Sequence, residues 1–515
     1  MKIGALILMM LSYITVHGQT IFQKTFGTTN YEEIWGLDLT SDNGFILAGY
    51  TNFDNAYLLR LNSSGDTVWT KNLDVGGMDL LYSVQQTEDT GFIFGGRTSG
   101  FGAGGQDMFL IKTDSDGNNQ WTTAIGGTGD ETINSIKQTL DGGFIIAGNT
   151  YSFGAGLNDF YIVKTTSTGN IVWSKSIGGT GNDNAYSITP TTDSGYVAVG
   201  FTTSAGAGNK DILAVKLDKN GNNVWTKTYG GTGDDRANSV QQTIDGGFVI
   251  SGVTNSYGAG NYDFNLVKIS STGNLSWERT FGGAGDEWAY SIQETTDNGF
   301  ILAGYTTSFG EGDADYYVLK TNSTGDTIWT RTFGGTLTEY GTAIRQTPDN
   351  GFAVIGYGQS SAVGSFDFYF AKTDTNGNGI CNQNSTNTLV NSPTSTVTTP
   401  SLTVSSGGIK SSTTPTISNG TTINSLCTNV GVQPLESNNL ALSFYPNPAQ
   451  QSFTIQLPTQ QTFTLSVTDI TGRTVYTNKN TTGNITVDAS GFSSGVYFVK
   501  AVNERTVLTG KLVKE

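Results

Sequence analysis

Residues 21–27 read Ile21-Phe22-Gln23-Lys24-Thr25-Phe26-Gly27, and residues 328–334 read Ile328-Trp329-Thr330-Arg331-Thr332-Phe333-Gly334. The second stretch belongs to a series, because Trp69, Trp121, Trp173, Trp225, Trp277 and Trp329 follow one another at intervals of 52 residues. A Gly-aromatic pair runs in step at Gly44-Phe45, Gly91-Phe92, Gly143-Phe144, Gly195-Tyr196, Gly247-Phe248, Gly299-Phe300 and Gly351-Phe352; its first interval is 47 and the others are 52. There are therefore seven such pairs but only six Trp in the series. The next Trp would fall at Cys381, within Gly377-Asn378-Gly379-Ile380-Cys381, which does not match the series. Residues 21–27 supply the missing copy from the other end of the array. A last repeat completed by the first strand makes a closed ring, and closure removes the two open sheet edges that would otherwise invite aggregation.

Each repeat contains four strand-like runs. In the fifth they are Ala237 to Thr243, Gly247 to Thr254, Asp263 to Ile269 and Leu275 to Phe281, with Asp245-Gly246 and Ser271-Thr272-Gly273-Asn274 as turns that tolerate positive φ. Four antiparallel strands in about 50 residues make a propeller blade, whereas a parallel β-helix uses shorter coils. The expected fold is all-β: a seven-bladed β-propeller over residues 19–380, closed by its N-terminal strand. The composition agrees, with 69 Gly for tight turns and 8 Trp, 22 Tyr and 27 Phe for a core.

The first 18 residues have the form of a signal peptide: Lys2, an apolar run from Ile3 to Val16, and small residues at Val16 and Gly18. Cleavage before Gln19 removes His17, the only histidine, and with it any Ser–His–Asp or Cys–His catalysis and any His-ligated metal. It leaves 26 of the 27 basic residues against 43 acidic ones, without a Lys/Arg cluster. Nucleic acid and anionic membrane surfaces are poor partners for such a chain. No other stretch is apolar enough to span a bilayer. The two cysteines, Cys381 and Cys427, lie outside the repeats, and an exported chain with an even number suggests one disulfide between them.

Residues 381–438 are rich in Ser, Thr, Asn and Pro, as in Ser411-Ser412-Thr413-Thr414-Pro415, and read as a stalk or extended spacer. Alternation returns over residues 439–515, in Phe453-Thr454-Ile455-Gln456-Leu457 and Phe463-Thr464-Leu465-Ser466-Val467, the pattern of a small β-sandwich. Three motifs there occur in order: Phe444-Tyr445-Pro446-Asn447-Pro448-Ala449, then Asp469-Ile470-Thr471-Gly472-Arg473, then Gly495-Val496-Tyr497-Phe498-Val499-Lys500. On these residues, with Pro446, Asn447, Pro448, Gly472, Arg473, Gly495 and Tyr497 as its marks, the segment resembles the C-terminal sorting domain of the type IX secretion system in Bacteroidota. The resemblance implies recognition by the outer-membrane translocon and removal by a sortase, leaving the cargo secreted or on the outer cell surface. The repeats resemble propeller repeats of secreted proteins from the same bacteria, depart from WD and kelch patterns, and carry no activity over.

Propeller geometry puts the tight 1–2 and 3–4 turns on one face and the longer 2–3 and 4–1 loops on the other, where a binding site is expected. Acidic pairs in the 4–1 loops (Asp130-Glu131, Asp234-Asp235, Asp286-Glu287) could serve acid/base work or Ca²⁺, but their repetition favours loop capping. Asp107, Asp159, Asp211, Asp263, Asp315 and Asp367, each with a Lys five residues later, read as a building device. Asp114-Ser115-Asp116-Gly117-Asn118 and Asp374-Thr375-Asn376-Gly377-Asn378 look like calcium-loop fragments without the bidentate Glu, and so like turns. No metal site or cofactor is expected, calcium being the open case. One position at the start of the innermost strand varies completely: Glu33, Leu80, Thr132, Asn184, Arg236, Trp288 and Tyr340. Glu33, Arg236, Trp288 and Tyr340, with Trp35 beside them, are the candidate contact residues for a glycan or a surface protein; uneven blade packing is the alternative. The expected function is a non-enzymatic binding or adhesion protein. A carboxylate-dependent polysaccharide hydrolase or lyase, which needs acids converging in one pocket, and a purely structural surface component are the competing readings.

Overall fold

The computed structural model describes residues 19–360, 362, 364–380, 383–386, 388–400, 402–413, 416–418, 422–430, 443–457, 462–469, 473–503 and 507–515. The leader, residues 1–18, and Cys381 of the expected disulfide lie outside these residues. The chain divides into two units, residues 1–431 and 432–515, and every regular element described in either is a strand.

The fold of the first unit is all-β and propeller-like. The fifth repeat forms strands Asp235–Gln242, Phe248–Thr254, Asp263–Ile269 and Leu275–Gly282, each antiparallel to the next. The two middle strands are buried along their whole length, which is why they read as continuous apolar runs, while the outer two alternate. Gly246 and Gly273 take positive φ in the two tight turns, as the turn residues require. Among the described residues the same four-stranded arrangement is found in seven sheets. In the seventh, strand Thr20–Gly27 lies beside Asp367–Thr373, pairing Phe22 with Lys372 and Phe26 with Phe368. The seam between the seventh and first sheets is closed by the Thr342 hydroxyl, which donates to the Ile34 carbonyl at 2.8 Å, and by the Glu32 N–H on Phe366 O at 2.9 Å.

The periodic residues are devices that join sheets or turns. The indole N–H of Trp225 reaches the next sheet's 3–4 turn, donating to Ser271 O at 3.1 Å, and its ring covers Gly273; Trp69 and Trp173 do the same at Ser115 and Lys219. The buried Lys of the third strand reaches the Asp of the 1–2 turn in six sheets, as in Lys164–Asp141 at 3.0 Å, and Arg60–Asp42 takes its place in the first.

The stretch expected to be a stalk is part of the first unit. Seven short strands, Gln383–Asn384, Leu389–Asn391, Thr396–Thr398, Thr403–Ser405, Ile409–Ser412, Thr416–Ser418 and Thr422–Val430, add a fifth strand to the sixth, fifth, fourth, third, second, first and seventh sheets in that order. The segment thus makes one circuit of the outer edges, running against the order of the repeats, and ends antiparallel to Thr20–Gly27. Ser and Thr suit it because they bond across the new edges: Ser405 with Ser176 at 2.6 Å, Thr398 with Thr228 at 2.5 Å, and Ser395, whose N–H and hydroxyl both donate to the buried carboxylate of Glu278 at 3.0 Å. The outer edge of each four-stranded sheet is thereby paired over part of its length.

The second unit has a three-stranded sheet (Ser443–Tyr445, Ser452–Gln456, Asn484–Asp488) and a four-stranded one (Thr474–Thr481, Phe463–Asp469, Gly495–Val502, Val507–Lys514) around Phe453, Ile455, Leu465, Val467, Val499 and Leu512. Asn447 ties the first motif to the last strand, accepting from Val513 N at 2.9 Å and donating to Lys511 O at 3.1 Å. Arg473 bonds Asp469 at 3.0 Å, and the Tyr497 hydroxyl donates to Ser493 O at 2.8 Å. Gly472 lies outside the described residues.

Candidate functional site in the central channel

All seven innermost strands carry a β-bulge at the same point, between Ile34 and Gly36 in the first and between Ala289 and Ser291 in the sixth. The bulge depends on a glycine in the second strand. A Cβ on Gly148 would lie 1.7 Å from the Thr132 carbonyl, and one on Gly304 would lie 1.7 Å from that of Trp288; the same close approach recurs in the other five sheets. The extra residue is Trp35, Tyr82, Asn134, Tyr186, Asn238, Tyr290 or Thr342, and the bulges turn this ring of seven into the channel. The ring borders two cavities, one of about 310 Å³ toward the 4–1 loops and one of about 290 Å³ toward the tight turns, and so forms the partition between them.

The mouth on the loop side is bordered by that ring together with Arg236 and Trp288. The Arg236 guanidinium lies 5.2 Å from the Trp288 ring centroid and 5.5 Å from that of Phe201. It is steadied by Asp234 at 3.1 Å, which Lys210 also bonds at 2.8 Å. Trp288 packs on Tyr262 at 5.3 Å. Trp35 stands edge-on to Tyr290 at 5.6 Å and donates its indole N–H to Glu33 at 2.9 Å.

Of the five candidate residues, Trp35, Arg236 and Trp288 share this cavity. Glu33 does not line it: the carboxylate is 6% exposed and accepts from the hydroxyls of Tyr31 and Tyr50 as well as from Trp35. Burial and the Glu33 charge push both tyrosines well above their usual range. Tyr340 packs against Tyr305 at 4.8 Å, Tyr357 at 5.4 Å and Phe366 at 6.5 Å instead of lining the cavity. Tyr82, Tyr186 and Tyr290 were not singled out in the sequence. A second varying position two residues after the first was the signal available for them.

The repeated acids cap loops. Glu131 accepts from Gly127 N at 2.7 Å and from the Thr150 hydroxyl at 2.7 Å, and Glu287 repeats the arrangement with Gly283 and Thr306. Asp263 accepts from the N–H groups of Ala259 and Gly260. Asp114 and Asp374 fold back on their own turns, each accepting from the N–H groups two and four residues on. Among the described residues no group of three or more acidic, His or Cys side chains is placed to hold a metal, and no helix is long and apolar enough to cross a membrane.

Residues 443–515 match the secretion system C-terminal sorting domain family. The second unit is a type IX secretion sorting domain. It marks the chain as a secreted or outer-surface protein that engages the type IX machinery. No curated protein matches in sequence. Solved structures of similar fold include PorZ, a surface component of the type-IX secretion system of Porphyromonas gingivalis (10% identity, TM-score 0.34, over 94% of this chain and 70% of that one). YCF48 from Cyanidioschyzon merolae is another (11%, 0.40, over 68% and 98%), as is a protein of unknown function from Bacteroides thetaiotaomicron (11%, 0.31, over 68% and 76%).

Proposed function

We propose that the sorted cargo is a seven-bladed β-propeller that acts as a non-enzymatic binding protein and takes a glycan in the loop-side mouth of its channel. The C-terminal β-sandwich is its export label, removed by a sortase. The arrangement of Arg236 over Trp288, facing Trp35 and three tyrosines across one cavity, carries this reading. Sugar C–H faces stack on aromatic rings, and a guanidinium held by Asp234 offers its remaining N–H groups to hydroxyls. Its asymmetry within a symmetric scaffold argues against a packing role alone. A carboxylate-dependent hydrolase or lyase fits less well, because neither cavity is bordered by an acid and Glu33 is fully engaged. The proposal requires no cofactor, and calcium enters the test as a control. A glycan array probed with the purified chain, residues 19–515, with and without calcium, should give saturable binding that falls at least tenfold in Trp288→Ala at unchanged melting temperature. Equal binding by parent and variant would refute the assignment of this face.

A further inference from the structure

Beyond the aromatic partition, the channel carries charge. Near the C-terminal ends of the innermost strands, one position supplies Asp38, Gln85, Lys137, Thr189, Gln241, Gln293 and Arg345. Four of these stitch neighbouring sheets by accepting the next strand's N–H: Gln86 on Asp38 at 2.9 Å, and Gln138 on Gln85, Glu294 on Gln241 and Gln346 on Gln293, all at 2.7 Å. Lys137 and Arg345 have no acceptor to offer. The residue that Lys137 would have to serve in the next strand is Pro190, which has no N–H. Lys137 has no hydrogen-bond or ion-pair partner among the described residues, and Arg345 bonds only the Ile344 carbonyl at 2.7 Å and Ser291 at 3.4 Å. They come from the third and seventh sheets, on roughly opposite walls, and both border the chamber of about 290 Å³ with Ser135, Ser187, Ser239, Gln241 and Gln293.

In a chain of net charge −16, two half-buried cations that line one chamber without an ion-pair partner are not explained by packing. Asp38 is the acid that acts on both, and one of its oxygens is already used by Gln86. Desolvation and the Arg345 charge pull the Lys137 ammonium down to about 8.

We propose that this turn-side chamber is a binding site for a small oxyanion, a sulfate or chemically similar group clamped between Lys137 and Arg345 and hydrogen-bonded by the surrounding serine and glutamine side chains. The charge is complementary, each cation has donors to spare, and the volume holds about ten waters at ~30 Å³ each, enough for an oxyanion or for a sugar ring carrying one. The site is on the far side of the partition from the glycan mouth and stands whether or not that mouth binds sugar.

The test is calorimetric titration of the purified chain, residues 19–515, with sodium sulfate, against sodium chloride at matched ionic strength. Sulfate should give a saturable heat that chloride does not, weakened at least tenfold in Lys137→Met and in Arg345→Met. Should the Met variants fold poorly, Lys137→Gln serves in their place, with melting temperature as the control. Binding should weaken as pH rises through about 8, where Lys137 loses its proton; Asp38 and Arg345 are the charged groups that act on it. A sugar monosulfate binding more tightly than free sulfate would identify the group as one carried on a glycan; equal affinity would identify the free ion. Equal heats for sulfate and chloride, or parent-like affinity in folded variants, would overturn the proposal.

Discussion

Glu278 offers the sharpest test of the encircling segment. It is 1% exposed in strand Leu275–Gly282 and accepts from the Asn265 amide at 2.9 Å and from the N–H and hydroxyl of Ser395 at 3.0 Å each. Hydrogen bonds to a charged acceptor contribute roughly 1.5–3 kcal/mol each. Part of that is offset because burial raises the Glu278 pKa, so removing the carboxylate also relieves a desolvation cost. Glu278→Ala should therefore cost about 2–4 kcal/mol, with the Ser395 share falling on the segment and not on the sheets inside it. At about 1.4 kcal/mol per tenfold, a Ser395 share of about 2 kcal/mol corresponds to roughly thirtyfold more frequent opening. Hydrogen exchange should show this as lost protection across residues 389–398, with strands Phe248–Thr254 and Asp263–Ile269 unchanged. Glu278→Gln, which keeps one acceptor oxygen, should lose about tenfold. Unchanged protection at 389–398 in Glu278→Ala, or loss spread evenly over the sheet, would refute the reasoning.

Two further outcomes follow from the charges. Asp141→Asn leaves the 4%-exposed Lys164 without a paired charge, facing only the Thr165 carbonyl and a neutral amide oxygen, and should destabilise by about 1–3 kcal/mol; Asp141→Asn with Lys164→Met should recover most of it in denaturant melts, since replacing both partners removes the uncompensated charge. Burial, aided by neighbouring carboxylates, raises Asp79, Asp263 and Asp315 from 3.8 to about 6, so the folded state holds protons there that the unfolded chain has released. Burial also acts on Asp193 and Asp245, but bonds from Lys216 and Thr191, and from Thr243 and Lys268, outweigh it and hold them at about 2. The raised group's stability falls as pH rises from about 4 through 6, and the lowered group's is lost as pH falls from about 4 toward 2. Calorimetric melting temperature should peak near pH 4–5, and Asp263→Asn should flatten the upper limb; a steady rise to pH 7 in the parent would contradict this.

The ring and its N-terminal closure were legible because Trp329 and its equivalents repeat a long local pattern in fixed register. The encircling segment was not. Its strands are only two to nine residues long, most of them two to four, too short for an alternating pattern to show. Val390, Val397 and Val404, seven apart and each paired with the last large residue of a fourth strand (Phe281, Tyr229, Ile177), were the available signal. Ser/Thr-rich composition obscured it. At the site, period-two reasoning placed Glu33 beside Trp35 but could not foresee a bulge, which depends on Gly49 and its counterparts tolerating a carbonyl against the second strand. Nor could it show that Tyr31 and Tyr50 would draw Glu33 out of the channel.

The encircling segment also determines how the molecule answers a pull. Traction on residue 430 loads first the longest of the seven outer strands, Thr422–Val430, which grips the N-terminal strand over eight residue pairs. Once that latch yields, the remaining six fasteners, each of two to four residues, release one sheet at a time. Each frees roughly 24 Å of slack at ~3.4 Å per residue over about seven residues. Tension from the export end would thus be spent in lengthening a tether before it reached the ring.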